Sequence, residues 1–471
     1  TRFGEFHAYI FQDLIEKHYI MALTYGNIEK KDKPFYIRLH SSCVTSETLR
    51  GSDCDCVQQL EGAIKIISEK KHGILFYLLQ EGRGAGYVAK ARDRMLVQAS
   101  YDKITTFKAY DIMGLKKDHR QYENIPQICG MFGIDNAEFI LLTNNPDKIQ
   151  AMKDLKLQII RTEPLEVESS PFNVAYLSSK LASGHLLRSA SHSTLRGKLA
   201  PEPVPLFKPY VVSNAQRFIH CASYYLPMKP INDEILLTDQ QFHDIFKYRP
   251  IDYYINMPNP CILRYQSLRN NRFLIKIDSN NLRKHEEHCQ NDPVCELLTT
   301  PYWFKIHVYY DIITTREFVI LTYGTADMSH YPIVRLQVES LFNRFPLRHV
   351  MHRDRLKQSV QLIIRYGVGI ILLLADGGRG AGFGAYAVDR MLLERGEVSN
   401  CYIARKKNCV NHDANDYNGR IALLKNHCPQ NKIQLIMNTP TSILRKKACI
   451  HALADERFEI KKWLFLQQEE I

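Results

Sequence analysis

No stretch of this sequence approaches the ~18 consecutive uncharged apolar residues that a bilayer-spanning helix requires, so no membrane partner is expected. Cysteine is too sparse for a disulfide-stapled scaffold. Twelve thiols are spread over 471 residues, and a chain of that length has ample material for an apolar core. An acidic surplus is missing as well: 62 Lys and Arg against 50 Asp and Glu leave a formal charge of +12, which favours phosphate-rich partners. Two familiar signatures also fail. Gly82-x-Gly84-x-Gly86 lacks the dinucleotide-binding spacing, and His352-Arg353-Asp354 is followed by Ser359 where a kinase catalytic loop needs Asn. What remains is ordinary globular usage, 45% hydrophobic and 24% charged, which predicts a soluble, folded chain of two or three domains.

The sequence repeats itself. Leu23-Thr24-Tyr25-Gly26 returns as Leu321-Thr322-Tyr323-Gly324, and Arg38-Leu39 as Arg335-Leu336. Gly82-Arg83-Gly84-Ala85-Gly86 returns as Gly378-Arg379-Gly380-Ala381-Gly382, and Asp93-Arg94-Met95-Leu96 as Asp389-Arg390-Met391-Leu392. Matches in one order at nearly constant spacing predict two copies of one fold, over 1–188 and 301–471. Between them, 189–215 reads as a Ser- and Pro-bearing linker, and 216–300 matches neither copy and is expected to be an inserted segment.

Within the first copy, Leu60, Ala63, Ile64 and Ile67 follow the spacing of an amphipathic helix, and Ile74 to Leu79 is an apolar run short enough for a buried strand. A second such run, Phe139 to Leu142, ends in Thr143-Asn144-Asn145-Pro146, with a helix expected from Asp147. Alternating helices and buried strands predict an α/β sandwich with ligand loops at strand ends.

Cys43, Cys54 and Cys56 bracket a polar turn. Three thiolates without an obvious fourth partner suit an open zinc site, whose vacancy holds water or substrate; the alternative is three buried structural cysteines. Arg38, His40, Arg83, Lys90, Arg92, Arg94, Arg120 and Lys148 fall on or beside the candidate loops, and their convergence would make a strongly electropositive pocket suited to a triphosphate. For Lys90 and Arg92 a solvated surface position is the competing expectation. Asp118, His119 and Arg120 form a polar group in which a carboxylate can accept a proton and a guanidinium can meet a phosphate. His285, His288, Cys289 and Cys295 have irregular spacing and are expected not to form a second zinc site.

His40-Ser41-Ser42-Cys43, Asp53-Cys54-Asp55-Cys56, Gln80-Glu81-Gly82-Arg83, Asp118-His119-Arg120 and Leu141-Leu142-Thr143-Asn144-Asn145-Pro146, in that order, resemble GTP cyclohydrolase II, down to Gly184-His185-Leu186-Leu187. The resemblance implies a zinc held by Cys43, Cys54 and Cys56, whose water opens the guanine ring at C8 with loss of formate. It implies Arg120 as the nucleophile on the α-phosphate and Asp118 as proton acceptor, with pyrophosphate expelled. Arg38, His40, Glu81, Arg83, Arg94, Thr143 and Lys148 would contact the nucleotide, with magnesium accompanying the triphosphate. One departure stands out, because the family's catalytic tyrosine falls on Arg94.

In the second copy the chemistry is lost: Ser340, a position near Val350 or Met351, and His352 stand where the cysteines belong, and Asn415, Met437 and Ser442 replace Arg120, Thr143 and Lys148. The fold expected is therefore two tandem cyclohydrolase II-like α/β domains, the second a pseudoenzyme copy, with a middle insert. Family members usually work as homodimers, so an identical or paralogous chain, as dimer or tetramer, is an expected partner. The fused dead copy, the added segment, Arg94 and the basic charge also resemble the plan of the guide-RNA-associated proteins of the kinetoplastid mitochondrial RNA-editing complex. That likeness implies binding of an RNA 5′-triphosphate end in mitochondria, without turnover. The alternative is an active, zinc-dependent GTP cyclohydrolase II of the riboflavin pathway, acting on free GTP. The chain opens at Thr1 and not at Met, so an initiator, a targeting segment or simply further residues are expected before it, and the location expected is mitochondrial or otherwise cytoplasmic.

Overall fold

The computed structural model describes residues 1–165, 167, 169–170, 172–187, 200–268, 271–289, 291–325, 331–347, 351–374, 380–411 and 413–466. Its first sheet has the order β1-β2-β4-β3-β5-β6, built from β1 (His7–Gln12), β2 (Tyr19–Tyr25), β3 (Phe35–Ser41), β4 (Gly73–Leu78), β5 (Glu138–Leu142) and β6 (Gln158–Glu163). β3 to β6 run parallel, with β2 antiparallel against β4 and β1 antiparallel at the edge. Every residue of β4 is buried, so its alternating side chains serve two cores. Leu75 and Tyr77 pack with Leu60, Ala63, Ile64 and Ile67 of α1 (Cys56–Lys70).

On the other face, Ile74, Phe76 and Leu78 share a cluster with Ile125 and Ile128. The remaining helices of this lobe are α2 (Tyr87–Ala99), α3 (Thr106–Ile112), α4 (Asn124–Met131), α5 (Pro146–Asp154) and α6 (Val174–Ala182). Pro146 at the start of α5 and the Asn145 side chain, which accepts from Asp147 N at 3.0 Å, fix that helix directly after β5. The carboxyl ends of β3, β4 and β5 therefore share one edge, where an open α/β sheet binds ligands.

The second large sheet repeats this order and extends it. β12 (Tyr302–Asp311), β13 (Arg316–Tyr323), β15 (Gly369–Leu374), β14 (Ile333–Val338), β16 (Lys432–Met437) and β17 (Glu459–Phe465) follow the first sheet strand for strand, and β8 (Phe218–Met228) and β7 (Tyr210–Val211) add to the β12 edge. The stretch 216–300 is thus not one inserted unit. β8 pairs with β12 along its whole length, from Tyr302 opposite Met228 to Asp311 opposite Phe218. Only the residues after it form a separate body: β9 (Glu234–Thr238), β10 (Ile262–Leu268) and β11 (Arg272–Ile277) in a three-stranded sheet, with α7 (Asp239–Phe246), α8 (Ile251–Asn256) and α9 (Ser279–His288). The linker expected over 189–215 lies partly outside the described residues.

The lobes share a core. Tyr87, Ala91 and Met95 of α2 sit in one buried cluster with Ala222, Tyr224 and Leu226 of β8 and Phe304 and Ile306 of β12. Arg92, read from the sequence as a pocket or surface cation, instead donates to the carbonyls of Phe207 at 2.7 Å and Cys221 at 3.2 Å and braces α2 against the second lobe. No helix among the described residues is long and apolar enough to cross a membrane.

The second lobe holds two buried histidines, His220 and His307, and a half-buried third, His427, that the sequence analysis did not single out. Ser223 Oγ lies 2.9 Å from both His220 Nε2 and His307 Nδ1, His307 and His427 rings stand 4.3 Å apart, and Tyr309 Oη lies 2.8 Å from His427 Nε2. Burial pushes His220 down to about 4 and His427 to about 3, and holds His307 well below its ordinary value. The folded state keeps all three neutral while the unfolded chain takes up protons near 6.5, so stability is complete above that pH and is lost as the pH falls below it. Urea melts should show a decline of up to about 1.4 kcal/mol per pH unit for each histidine in this acid range, and His307→Gln should flatten the slope. A pH-independent midpoint between 6.5 and about 4 would contradict this assignment.

Candidate active site

Cys43 follows the end of β3 and leads into a π-helical turn, Val44–Thr48, while Cys54 and Cys56 sit at the entry to α1. The sequence separation collapses in space: the three Sγ atoms lie within 4.8 Å of one another, with Cys43 and Cys54 3.7 Å apart. Sulfurs at about 2.3 Å from a tetrahedral zinc would be roughly 3.7 Å from each other, so the donor set and its spacing fit that ion. Lys90 Nζ donates to Cys43 Sγ at 3.0 Å and to Glu81 Oε1 at 2.6 Å, and Glu81 Oε2 accepts from Val44 N at 2.8 Å. Hydrogen bonds from Cys54 and Cys56 outweigh burial and, with Lys90, hold the Cys43 thiol well below its ordinary range; its partners titrate above theirs. The trio is thus poised to present at least one thiolate. It is the one such metal-ligand cluster among the described residues. In the His285 group, His285 Nε2 lies 3.0 Å from Asp292 and Cys295 donates to the Cys289 carbonyl.

The loop after β4 is shaped by glycine at one point in particular. Gly84 has φ +83°, and a Cβ there would lie 2.7 Å from the His119 carbonyl, so the loop can lie flat on the 118–120 segment, held by His119 N donating to Arg83 O at 2.9 Å. Arg83 is thereby laid over the Phe107 ring at 3.9 Å. Across the cleft, Arg120 donates Nε to Asp118 Oδ1 at 2.8 Å and Nη2 to Oδ2. Burial opposes the Asp118 charge, but Arg120 holds that carboxyl below its usual range.

Arg38 reaches the Leu142 carbonyl at 2.8 Å and Gln59 at 2.6 Å, and Lys148 the Leu39 carbonyl at 2.8 Å. Both are deeply buried, and burial lowers Arg38 to about 10 and Lys148 well below its ordinary value, with Arg120 adding repulsion in each case. Thr143 Oγ1 accepts from Asn145 N at 3.1 Å beside them.

These side chains line one cleft of about 410 Å³. Arg38, His40, Cys43, Cys56, Glu81, Arg83, Arg94, Asp118, Arg120, Thr143 and Lys148 all reach it, whereas Arg92 does not; Cys54 stands behind its two partners. Lys90 is buried in the cleft rather than solvated. Among the described residues Arg38, Arg83 and Lys148 have no carboxylate at ion-pair distance, so the cleft carries positive charge that an anion can neutralise. Sequence reasoning missed Tyr176, Lys180 and His185. Lys180 pairs with Asp55 at 2.7 Å, and the Tyr176 ring lies 4.7 Å from Lys180 and 4.8 Å from the Arg94 guanidinium. The signal was present, since Tyr176 and Lys180 are one helical turn apart just before Gly184-His185.

The second lobe keeps the geometry without the donors. Ser340 Oγ contacts Tyr386 Oη at 3.3 Å where the first lobe has Cys43 and Lys90, and Asn415 merely donates to Asp413 at 2.6 Å. Met437 is buried, and Ser442 Oγ bonds its own turn at Thr439 O, 2.5 Å away. Val350 and the side chains of Met351 and His352 lie outside the described residues.

Both lobes are matched by one family profile, described as GTP cyclohydrolase II, over residues 1–164 and 292–448. The chain belongs to that family. It is 38% identical over 188 residues to the GTP cyclohydrolase-2 of Colwellia psychrerythraea, covering 40% of this chain and 90% of that protein. The GTP cyclohydrolase-2 of Acinetobacter baumannii strain SDF is 37% identical over 183 residues, 38% of this chain and 88% of the relative. The riboflavin biosynthesis protein RibBA of Bacillus velezensis is 35% identical over 188 residues, 40% of this chain but 46% of the relative, so the chain spans under half of that protein.

These likenesses overturn the RNA-end reading and the leaning against an enzyme. The relatives are named for GTP cyclohydrolase and riboflavin biosynthesis, and nothing supports a guide-RNA protein. The physical reason lies in where the cations are: Arg38, Arg94 and Lys148 are buried inside a nucleotide-sized cleft, not spread along a surface groove for a backbone. Metal analysis of the purified chain should find about one zinc, lost in Cys54→Ser and retained in Cys129→Ser, whose thiol sits in an apolar core. Zinc retention by Cys54→Ser would show that the trio is only structural.

Proposed function

We propose that the first lobe is a working zinc-dependent GTP cyclohydrolase II, which opens the imidazole ring of GTP with release of formate and pyrophosphate. The observation that carries this reading is the presence, at one cleft, of a cluster of three cysteine sulfurs and a set of cations without carboxylate partners. Cys43, Cys54 and Cys56 would hold the zinc, which when bound supplies an activated water at neutral pH and a Lewis acid beside C8.

The rest is the work of side chains. Arg38, Arg83 and Lys148 neutralise the triphosphate, with magnesium entering as part of the nucleotide; Arg83, fixed over Phe107, is held ready and loses little freedom on binding. Asp118 grips Arg120 on two nitrogens, which orients the guanidinium and places a proton acceptor beside it. In the attack on the α-phosphorus a guanidinium nitrogen forms the N–P bond, its proton passes to Asp118 and the bond to pyrophosphate breaks. Glu81, pushed up to about 7 mainly by burial, sits beside Lys90 and is suited to exchange a proton at the base.

Arg94 stands where the family has its catalytic tyrosine. Its charge is opposed by burial but maintained by Asp53 and Asp93, and the phenol stacked upon it is Tyr176. We assign to Tyr176 the hydrogen-bonding contact with the guanine ring that residue 94 no longer offers.

Full-length protein incubated with GTP, zinc and magnesium should release formate and pyrophosphate in sustained turnover. Arg120→Ala should lower kcat at least ~100-fold with zinc retained, and Tyr176→Phe about tenfold. If the zinc-loaded wild type binds GTP and releases neither product, the enzyme reading is wrong.

A further inference from the structure

The two lobes touch each other reciprocally, yet the residues at equivalent places in the two contacts are different. Tyr19 lies four residues before Leu-Thr-Tyr-Gly in the first copy, and Glu317 four before the same motif in the second. Each reaches the start of the opposite lobe's helix. The Tyr19 hydroxyl would stand 3.4 Å from a Cβ at Gly384, at the head of α11 (Gly382–Glu394), with its ring 5.9 Å from Phe383. Glu317 does more, accepting hydrogen bonds from the free amides of Tyr87 at 2.8 Å and Val88 at 2.7 Å at the head of α2. A Cβ at Gly86, φ +91°, would lie 2.8 Å from its Oε1, so the backbone has been left bare for the carboxylate.

A second pair shows the same asymmetry. Glu47 and Arg344 each lie nine residues past the repeated Arg-Leu pair. Glu47 is wholly buried, with one oxygen 2.7 Å from His40 Nε2 and the other accepting from the Tyr77 hydroxyl. Arg344 of the second lobe donates Nη1 to that same hydroxyl at 2.9 Å and Nε to Glu339 at 2.7 Å. Arg344 is the ion-pair partner of the buried Glu339, at 2.6 Å, and it meets Glu47 through the Tyr77 hydroxyl, to which it donates while that hydroxyl donates to Glu47. In a dimer of two first lobes, a second Glu47 would stand where Arg344 stands, and Tyr19 where Glu317 stands: like charges would meet, and α2 would lose its anion.

We infer that Glu317 and Arg344 are positioning residues for the first lobe's thiolate cleft, and that the degenerate second lobe is a required part of the site that a copy of the first lobe cannot replace. Glu317 fixes the first turn of α2, from which Lys90 reaches Cys43 Sγ at 3.0 Å, with Arg94 one turn further on. Through the Tyr77 hydroxyl, Arg344 steadies Glu47 within the turn that follows Cys43, where Glu47 N donates to Cys43 O at 2.8 Å. The kinetic arm of this inference rests on the GTP chemistry proposed above; the metal arm does not.

The test uses full-length protein carrying cobalt(II) in place of zinc, read by its thiolate charge-transfer absorption and by competition with a chelator. Arg344→Met should weaken cobalt about tenfold, as loss of an outer partner of a metal site does. Arg344→Lys should retain most of the affinity, and Glu339→Gln/Arg344→Met, which also removes the carboxylate the single change leaves unpaired, should stay weakened because the contact with the Tyr77 hydroxyl is still missing. Glu317→Gln, which preserves shape, should shift the absorption band and lower kcat for GTP several-fold with KM little changed. Wild-type spectra and affinities in folded Arg344→Met and Glu317→Gln would overturn the inference. Altered spectra in a protein that never turns over GTP would uphold it while removing the enzyme reading.

Discussion

A lysine touching a buried thiolate sets the layout of this protein. Lys90 Nζ stands 3.0 Å from Cys43 Sγ and 2.6 Å from Glu81, inside a space from which water has been largely removed. A charge there persists only if opposite charges are fixed around it, and each fixing residue comes from a different element: Cys43 from beyond β3, Glu81 from beyond β4, Lys90 from α2. None of those elements is free to move alone. The Gly-rich loop must lie on the 118–120 segment to bring Glu81 in, and α2 must pack on the second lobe to bring Lys90 in.

The same electrostatic logic organises the cleft as a whole. Asp118, Asp55, Glu81 and Asp53 each engage one cation, and Arg38, Arg83 and Lys148 are left over. Burial first, and repulsion from Arg120 after it, make Arg38 and Lys148 release protons more readily than in water. A polyanion relieves that repulsion. Binding of a nucleotide triphosphate and the stability of the cleft are therefore coupled, and the cleft is pre-formed because backbone carbonyls of Leu39 and Leu142 hold the cations in its absence.

Much of this was legible in the residue order. The repeat located two lobes; the apolar runs located β4 and β5; and Cys43, Cys54, Cys56, Asp118 and Arg120 announced themselves by type and spacing. Arg92 misled because charge on a helix says nothing of the face it takes, and here that face meets carbonyls of the other lobe. Phe218–Met228 misled because the strand has no counterpart in the first copy, so self-comparison was silent about it. The RNA-end reading failed for a related reason: net charge is a sum, and it does not say whether cations line a surface or a cavity.

The sequence by itself determined the two-lobed α/β plan, the thiol trio and the loss of donors in the second copy, because these depend on residue identity and local periodicity. Only the tertiary structure decided that Tyr176 and Lys180 belong to the cleft, that Glu317 caps α2, and that Arg344 meets Glu47 through the Tyr77 hydroxyl. Those contacts join residues far apart in the chain, and their worth comes from burial, which no single stretch of sequence displays.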